Sequence, residues 1–352
     1  MVNTLSHLGI GLLIASFAGL EGRQKKIVAF FAILPDLDFL ATALFTLIDG
    51  RLTHQMHNLL FYFLGHREFM HSILFTLLVI LGLWYYQRDR KLTLVAGAAI
   101  FLHLYLDYAT SWKMRPLFPL DTGSSIMGSI FFFDPVVTII SFIPIYFLLL
   151  DQLRKKRKNG NLRNEVKKEL NDAGQKRVKL NKALLIVFVL WCVLTPFSKA
   201  LLVNHISEIE GHDISYQNSY PISPGVFLSA YSYNQTHYKI LESNYWSGIE
   251  QAIFIPKVVT DGSGEDSPYV QRAKRLYDAS LPKEIDYVVY NVSTNENNVT
   301  VTLSDARTSY VRYWAYFKTD YIFVFNRDNE DYSPYIRRQM GNEELVAKNW
   351  FE

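Results

Sequence analysis

The stretch LTLVAGAAIFLHLYLDYAT, residues 92–110, decides the fold class of this chain. It is apolar and long enough to cross a lipid bilayer as a helix, which takes about 20 residues. His103 and Asp107 interrupt it one helical turn apart, so both side chains lie on the same helix face. An Asp at the bilayer centre costs about 2.5–3.5 kcal/mol on the insertion scale. Two metal-binding residue types on one face therefore indicate a functional site, with a structural His–Asp pair as the alternative.

The composition of the 352 residues describes two unlike halves. The mean hydropathy of +0.05 averages a first half of apolar runs, residues 1–203, with a second half, 204–352, that reads as a soluble sequence. The net charge of +3 is small. A single cysteine, Cys192, excludes a disulfide framework within the chain and a thiolate metal cluster. Any metal ligands must therefore be histidines and carboxylates.

Six apolar runs are candidate membrane spans. A cleaved signal peptide is the competing interpretation of the first run. It requires a basic start and a small-residue cleavage site, whereas Met1–Ser6 has no Lys or Arg and the run ends in Glu-Gly-Arg. An uncleaved first helix is therefore favoured. The six runs are 4–20, 27–48, 70–86, 92–110, 130–150 and 183–203.

The distribution of Lys and Arg predicts the orientation of these spans. Segments 21–26, 87–91 and 151–182 hold 18 basic residues, whereas loops 49–69 and 111–129 hold four. The first set is predicted to be cytoplasmic, so the N-terminus and the domain after residue 203 are predicted to be extracytoplasmic. Tryptophans at span ends, Trp84 and Trp112, are typical interfacial anchors.

The basic segment 151–182 is predicted to be a cytoplasmic loop that touches anionic lipid headgroups. Nucleic acid is a disfavoured partner, because no aromatic residues interleave the basic ones. Membrane lipids are therefore the expected partners, and the sequence names no protein partner.

Further metal-binding residue types lie on the same predicted side of the membrane as His103 and Asp107. Asp36 and Asp38 would lie near the middle of the bilayer if their helix were straight. Pro35 precedes them and disfavours a continuous helix, because its ring clashes with an earlier carbonyl. A broken helix that lines a polar cavity is therefore predicted. The other candidates are His7, His66, His71 and Asp134.

These residues occur in five ordered motifs: SHLGIGLL around His7, LPDLDFL at 34–40, HREFMHS at 66–72, HLYLD at 103–107 and FFFDP at 131–135. Together they resemble the YdjM-type family of inner-membrane metal-dependent hydrolases, whose name also refers to binding of the repressor LexA. No residue pattern here indicates that contact. The resemblance covers residues 1–150. A looser similarity to longer members covers YPISPG at 220–225 and VTLSDARTSY at 301–310.

The resemblance implies a metal-dependent hydrolase, and a similarity to zinc-dependent phospholipase C suggests phosphoester substrates. Imidazole and carboxylate ligands suit zinc, with manganese or magnesium as alternatives. Because the candidates outnumber the three protein ligands of a simple catalytic zinc, a two-metal site is possible. The candidate ligands are His7, Asp36, His71, His103 and Asp107.

Five further residues are candidates for roles other than that of a principal metal ligand: Asp38, His66, Arg67, Ser72 and Asp134. Asp38 itself is a ligand, a carboxylate that orients a histidine, or a general base. His66 and Arg67 are catalytic candidates, since a guanidinium steadies an anionic substrate or transition state. Ser72 and Asp134 are expected to support the ligands.

Structural interpretations remain open for several of these residues. A lone intramembrane histidine such as His7 often makes a hydrogen bond between helices. Asp134 precedes Pro135 and has the pattern of a helix N-cap. His54 and His57 have metal-ligand spacing, but solvated loop histidines are the favoured interpretation.

The second half of the chain is predicted to form a mostly antiparallel sheet. Alternating β-branched and aromatic residues mark six strand-like runs, and segments 265–280 and 330–350 are predicted to be helical or irregular. No arrangement of catalytic residues stands out there. The strand-like runs are VFLSAYSY, HYKILESNYW, IDYVVYNV, NVTVTL, YVRYWAYF and YIFVFN.

The predicted fold is a multi-pass α-helical membrane bundle of about six helices, five of which contribute to a polar site near the outer face, followed by a mostly β (α+β) soluble domain. The domains are a metal-site bundle at 1–150, a basic loop at 151–182, a last span at 183–203 and an extracytoplasmic domain at 204–352. The favoured function is a membrane-embedded hydrolase that acts on a lipid or lipid-linked phosphoester. The alternatives are a non-catalytic protein with a structural site and, less favoured because the ligands lie on one side, a metal or proton transporter.

Overall fold

The computed structural model describes residues 4–110, 113–157, 164–261, 268–281, 283, 285–309, 319–329, 331–338 and 343–351. The chain divides into two compact units. The first comprises 1–40, 66–205 and 215–227, and the second comprises 41–65, 206–214 and 228–352. The predicted anchor Trp112 and the predicted strand YVRYWAYF, residues 310–317, lie outside the described residues.

The sequence predicts six continuous spans in the apolar half, but fewer described helices are long enough to be spans, and two of the apolar stretches are broken by bends. Two described helical segments, Arg90–Ala109 and Lys176–Glu210, are long and apolar enough to cross a membrane, and up to four spans result if each of two bent helix pairs counts as one. The helices are α1 (Thr4–Phe17), α2 (Gly22–Ile33), α3 (Asp38–Thr46), α4 (His54–Leu64), α5 (Ile73–Gln87), α6 (Arg90–Ala109), α7 (Pro135–Arg157) and α8 (Asn164–Glu210).

Two further sequence-based expectations need correction. Helix α1 (Thr4–Phe17) and the apolar part of α7, Pro135–Leu150, are apolar but shorter than a span. The described part of the basic segment 151–182 is helical, because α7 continues to Arg157 and α8 begins at Asn164. Its side of the membrane stays a prediction.

The break predicted at Pro35 is present. After α2, residues Pro35–Leu37 form a 3₁₀ turn and α3 follows, with a bend of 58° between the two halves. A second break separates α4 from α5 by 68°. There Phe69–His71 form a 3₁₀ turn and Ser72 caps α5 by accepting a hydrogen bond from the Phe75 amide at 3.1 Å. Both breaks carry candidate metal ligands.

Close helix contacts in the first unit depend on small residues. A Cβ added at Gly9 of α1 would lie 1.9 Å from the backbone oxygen of Ser141 in α7. A Cβ at Gly11 would lie 2.5 Å from Ala32 Cβ in α2. Helix α1 is therefore held against both neighbours at distances that only glycine permits.

Helix α6 contacts α1, α2 and α5 in the first unit. Its N-terminus is capped by Asp89, which accepts from the Leu92 amide at 3.0 Å. A Cβ at Gly97 would lie 2.8 Å from Ile80 of α5. This central position places His103 and Asp107 among the surrounding helices.

The second unit contains a sheet-rich C-terminal domain, as predicted. The strands in the described residues are β1 (Ser219–Ser223), β2 (Val226–Ser232), β3 (His237–Asn244), β4 (Gly248–Pro256), β5 (Val258–Thr260), β6 (Val288–Thr294), β7 (Asn298–Asp305), β8 (Thr319–Asn326), β9 (Tyr332–Arg338) and β10 (Glu343–Leu345). Six of them form one sheet, in the order β10-β9-β8-β7-β6-β5. Neighbouring strands in this sheet are antiparallel except for the parallel pair β5 and β6.

The core of this sheet is formed by inward residues of its central strands and by helix α9 (Pro268–Ala279), which lies in the segment predicted to be helical. Val301 of β7 is opposite Val292 of β6 and Phe323 of β8, and Val301 and Phe323 are fully buried. The prediction for 330–350 is wrong, because β9 and β10 lie there.

Loop 49–69 was expected to hold solvated histidines, yet it contains α4. His57 is 1 % exposed and packs against Trp350, with ring centroids 4.7 Å apart, and against Phe45 at 5.4 Å. His54 contacts the Asn58 amide at 3.0 Å. The expectation failed because the run HQMHNLLFYFL is too short to stand out as a helix next to two apolar spans.

Candidate metal centre

Four ligand atoms from three separated segments converge in the first unit. Asp36 Oδ1, His71 Nε2, His103 Nε2 and Asp107 Oδ2 all lie within 4.8 Å of one another. Each of the four residues is at most 4 % exposed. The two helix breaks supply Asp36 and His71, and the continuous helix α6 supplies the other two. The structure thus brings together four of the five predicted ligands as one group.

The spacing of these atoms fits a single small cation. His71 Nε2 lies 3.2 Å from His103 Nε2, 3.3 Å from Asp107 Oδ2 and 3.8 Å from Asp36 Oδ1. His103 Nε2 lies 3.6 Å from Asp36 Oδ1 and 3.9 Å from Asp107 Oδ2. Bonds of about 2.0–2.1 Å to a tetrahedral zinc place neighbouring ligand atoms about 3.3–3.4 Å apart. The observed distances, from 3.2 to 3.9 Å, are close to that range, and most of the differences are towards longer distances.

The two ligand histidines are oriented by hydrogen-bond acceptors on their far sides. His103 Nδ1 lies 2.8 Å from the Ala32 carbonyl oxygen, and since a carbonyl only accepts, Nδ1 carries the proton. His71 Nδ1 lies 2.9 Å from Asp38 Oδ2, a close contact with the carboxylate that does not meet hydrogen-bond geometry. Each imidazole therefore directs the lone pair of Nε2 into the cluster. This is the outer-shell arrangement that metal-binding histidines use.

His7 reaches the cluster through the other oxygen of Asp107. Its Nε2 lies 3.3 Å from Asp107 Oδ1, and its ring stacks on His103 with centroids 3.7 Å apart. His7 is buried, and no hydrogen-bond partner is present for its Nδ1 among the described residues. It is placed beside the four-atom group and not within it.

Asp38 makes contacts that position its neighbours. Its Oδ1 accepts from His66 Nδ1 at 2.7 Å, and its Oδ2 accepts from the Arg67 amide at 3.0 Å. Asp38, His66 and His71 also form a second group of mutually close ligand atoms. The sequence left three roles open for Asp38: ligand, general base, or carboxylate that orients a histidine. Its observed contacts with His66 and His71 agree with the last of these.

Arg67 lies inside the cluster. The guanidinium is 3 % exposed, and its Nη2 is 3.0 Å from Asp107 Oδ2. The backbone of Arg67 has a φ of 67°, an unusual conformation for a residue other than glycine. The Asp38 carboxylate that accepts from the Arg67 amide stabilises this turn, which points His66 and Arg67 in different directions.

The two predicted supporting residues have capping contacts. Ser72 caps α5, and Asp134 Oδ1 accepts from the Val137 amide at 2.9 Å at the start of α7. The N-cap interpretation of Asp134 therefore describes its observed contact. The polar site draws on α1, α6 and the two helix breaks.

Sequence reasoning missed three groups around the site. Thr4 Oγ1 donates to Asp36 Oδ2 at 2.7 Å, which leaves Asp36 Oδ1 directed at the cluster. Glu68 forms a buried ion pair with Arg115, whose Nε also donates to the Thr122 carbonyl at 2.7 Å. The only sequence signal for the involvement of Glu68 is its position within the motif HREFMHS. The Ala32 carbonyl leaves no sequence signal, because any residue has one.

The charges of the described cluster favour a divalent cation. Asp36, Asp38 and Asp107 supply three carboxylates, and Arg67 supplies one guanidinium, which contacts Asp107. With neutral imidazoles, two negative charges stay uncompensated in a buried site, at a cost of several kcal/mol per ion. Asp36 Oδ1 is buried and has no hydrogen-bond partner among the described groups. The residues therefore fit a divalent metal, and their chemistry does not decide which one.

Comparison with known proteins identifies the family. No curated protein and no solved structure matches the chain. A family model described as YdjM inner membrane protein matches residues 1–202, which include every residue of the cluster. The match covers more than half of the chain and ends within the last apolar helix. This chain therefore belongs to the YdjM family of inner membrane proteins.

Proposed function

We propose that this chain is a membrane-embedded, metal-dependent hydrolase. The observation that carries the proposal is the buried group of Asp36, His71, His103 and Asp107, whose unshared electron pairs converge from three segments. Two histidines and two carboxylates are typical ligands of catalytic zinc and of related divalent metals. A divalent metal bound there would lower the pKa of a bound water and polarise the scissile bond.

The side chains around the group have separate roles in this proposal. Asp36, His71, His103 and Asp107 hold the metal. Asp38 orients His71 and His66 through its two oxygens. Because Asp38 accepts from His66 Nδ1, His66 Nε2 is available to give or take a proton.

His66 is also the most accessible histidine near the cluster. Its side chain is 20 % exposed, whereas the side chains of His7, His71 and His103 are fully buried. Phe39 stacks on its ring with centroids 3.8 Å apart and holds the imidazole in place. The His66 Nε2 atom is itself buried and has no hydrogen-bond partner among the described residues, so in this proposal it exchanges a proton with a substrate that has entered the cluster.

The proposed substrate is a lipid or a lipid-linked phosphoester. The cluster lies among apolar helices of an inner-membrane family, so a substrate dissolved in the bilayer can approach it laterally. Phosphate oxygens suit a site that combines a metal with a guanidinium. Arg67 contacts Asp107 at 3.0 Å, and a substrate phosphate would compete for this contact.

The test is metal content and hydrolysis measured on the same purified protein. Wild type should hold about one divalent ion per chain and hydrolyse at least one member of a panel of phosphomonoesters, phosphodiesters and lipid-linked phosphates. His103→Ala should lose both the ion and the activity. His205→Ala, an exposed histidine in α8, is the matched control and should lose neither.

A second set of variants separates chemistry from metal binding. His66→Gln should retain the ion and lose most activity, because His66 is not one of the four proposed ligands and its hydrogen bond is to Asp38. Asp38→Asn should weaken metal affinity by about 10–100-fold, as expected for an outer-shell partner of a ligand histidine. Full activity in His66→Gln would remove that residue from the mechanism. Absence of turnover in wild type on every phosphoester, with the metal present, would reject the hydrolase.

The runner-up is a non-catalytic protein whose site is structural. The contacts of Asp107 with His7, Arg67 and His71 favour it, because they hold helices together without further groups. Under this alternative, chelation should lower the melting temperature of the protein, while no substrate is turned over. A catalytic site predicts the loss of activity on chelation, with a smaller change in melting temperature.

A further inference from the structure

A groove between α2 and α5 lies at the end of these helices remote from the metal cluster. It has a volume of about 540 Å³, and its lining is mostly apolar. Helices α2 and α5 each contact α6, and the groove is the space left between them. Asp36 lies three residues after the end of α2 and His71 two residues before the start of α5, whereas the basic lining residues of the groove, Arg23 and Lys26, are at the other end of α2.

The α2 wall of the groove is one amphipathic stripe. Arg23, Lys26, Ile27 and Phe30 line it at positions i, i+3, i+4 and i+7, which share a helix face. The two basic residues are exposed and lie in the first turns, and the apolar ones follow. The stripe rises about 10 Å from Arg23 to Phe30, less than the thickness of one leaflet.

The α5 wall repeats the same spacing with apolar residues. Val79, Gly82, Leu83 and Tyr86 line the groove at i, i+3, i+4 and i+7. A Cβ added at Gly82 would meet no atom within 4 Å, so the missing side chain leaves the groove open at its middle. A larger residue at this position would fill it.

The charged residues that line the groove, Arg23 and Lys26, are both basic and would favour a bound anion. The first turn of α2 contains no acidic residue, and the N-cap residue Glu21 makes no side-chain capping hydrogen bond at the positive end of the helix dipole. Basic residues are unfavourable there unless an anion accompanies them. The nearby carboxylate of Asp89 is engaged, since it accepts from Gln24 Nε2 at 2.8 Å and from the Leu92 amide.

We propose that this groove binds one anionic phospholipid. Arg23 and Lys26 contact the phosphate, and an acyl chain lies between Phe30 of α2 and Val79 of α5. Segments 21–26 and 87–91 are predicted to be cytoplasmic, so the lipid comes from the inner leaflet, where anionic headgroups attract basic residues. The proposal is independent of the hydrolase proposed above.

The test is native mass spectrometry of the full-length purified chain with added lipid. Phosphatidylglycerol should bind in a defined one-to-one complex at least tenfold more tightly than phosphatidylcholine with the same acyl chains. Each basic residue near an anionic headgroup contributes about 1 kcal/mol, so Arg23→Gln/Lys26→Gln should weaken binding about 10–30-fold. Arg88→Gln/Arg90→Gln, on the same predicted side but outside the groove, is the control and should change it less than threefold.

A second variant tests the groove itself. Gly82→Leu should weaken phosphatidylglycerol binding without changing the charge of the protein, since it fills the space for the chain. Equal binding of the two lipids by wild type would overturn the proposal. So would equal losses in the charge variant and its control, because the lipid would then be held by general surface charge. If the charge variant fails to fold, the lipid preference of wild type and the Gly82→Leu result decide.

Discussion

Asp107 is the residue on which most of the buried site depends. Its Oδ2 lies 3.0 Å from Arg67 Nη2 and 3.3 Å from His71 Nε2, and its Oδ1 lies 3.3 Å from His7 Nε2. A buried carboxylate is strongly unfavourable unless it is paired and hydrogen-bonded. His7 hydrogen-bonds Oδ1 and the Arg67 guanidinium supplies an opposite charge, whereas Oδ2 has no hydrogen bond among the described residues and completes the candidate ligand set.

This double role leads to a prediction about Asp107→Asn. The amide keeps the shape of the carboxylate but removes the negative charge that faces the buried Arg67 guanidinium, and breaking one side of a buried ion pair costs about 3–5 kcal/mol. Thermal unfolding of the purified protein should therefore shift to a lower temperature, and metal content should fall.

The double variant Asp107→Asn/Arg67→Met separates the two effects. Removal of the guanidinium relieves the uncompensated charge, so stability should recover in part while metal content stays low. Recovery of both would show that Asp107 is not a ligand. Absence of any recovery would show that the Arg67 contact is not what Asp107 stabilises.

At the residue scale, the types of ligand could be predicted, but not the role of each residue. His103 and Asp107 were predictable as a pair because helix geometry alone puts i and i+4 on one face. His7 and Asp134 carry the same chemistry in the sequence, yet one stacks on His103 and the other caps α7. Which role a side chain takes depends on backbone direction at the break or cap, and residue spacing does not encode that.

At the scale of elements, α1 has to approach its neighbours closely for His7 to reach the cluster. Gly9 is two residues from His7 and lies against the backbone of Ser141. Overpacking of a filled interior costs about 1–3 kcal/mol, and here the obstacle is backbone that cannot rotate away. A residue with a side chain therefore does not fit at position 9 unless α1 or α7 moves.

Gly9→Ala should lower the melting temperature of the purified protein and reduce its metal content, because α1 must move away from α7 and carries His7 with it. Gly50→Ala is the matched control, since nothing lies within 4 Å of an added Cβ there. Metal content should be unchanged in the control. A wild-type melting temperature in Gly9→Ala would mean that the contact between α1 and α7 is loose.

The elements themselves were predictable where one physical rule dominates. Pro35 removes a helix donor and clashes with an earlier carbonyl, so the break there followed from the sequence. A loop before α5 was predicted, but not its backbone conformation, because the left-handed backbone of Arg67 accompanies tertiary contacts with Asp38 and Asp107. Strand β9 was missed because Pro334 and its charged neighbours hide the alternation.

Two Arg–Asp pairs in the second unit allow a comparison of buried and exposed ion pairs. Arg307 is 3 % exposed, and its guanidinium donates to both Asp305 oxygens and to Asp286, each at 2.8 Å. Burial alone would lower the pKa of Arg307, but these carboxylates hold its pKa above the ordinary value. Arg337 pairs with Asp320 with its side chain 39 % exposed.

Arg307→Met should therefore destabilise the protein by about 3–5 kcal/mol, since it removes the buried guanidinium that faces two carboxylates. Arg337→Met should cost about 0–1 kcal/mol, because water screens an exposed pair. The measurement is chemical unfolding of the full chain, monitored by the loss of β-sheet circular dichroism. Similar costs for the two variants would show that the Arg307 group is open to water.

At the scale of the whole molecule, the sequence divides by composition and the structure divides by packing, and the two divisions differ. Hydropathy changes near residue 203, whereas residues 41–65 belong to the sheet-rich unit although they lie in the apolar half. The contact between His57 and Trp350 illustrates how residues 41–65 join the sheet-rich unit, since both residues belong to that unit and their rings lie 4.7 Å apart. An average over a window of sequence cannot report a contact between residues so far apart in the chain.

Orientation in the membrane is the last prediction, and it concerns the molecule as a whole. The loops of one predicted side hold 18 Lys and Arg and those of the other hold four, which predicts that residue 50 and the sheet-rich domain are extracytoplasmic. With Cys192→Ser removing the native thiol, Gly50→Cys and Glu296→Cys should react with an impermeant maleimide in intact spheroplasts, whereas Lys91→Cys should react only after lysis. The reverse pattern would put the sheet-rich domain in the cytoplasm. Labelling of residues 50 and 296 from opposite sides would require an odd number of crossings between them, against the even number that the charge distribution predicts.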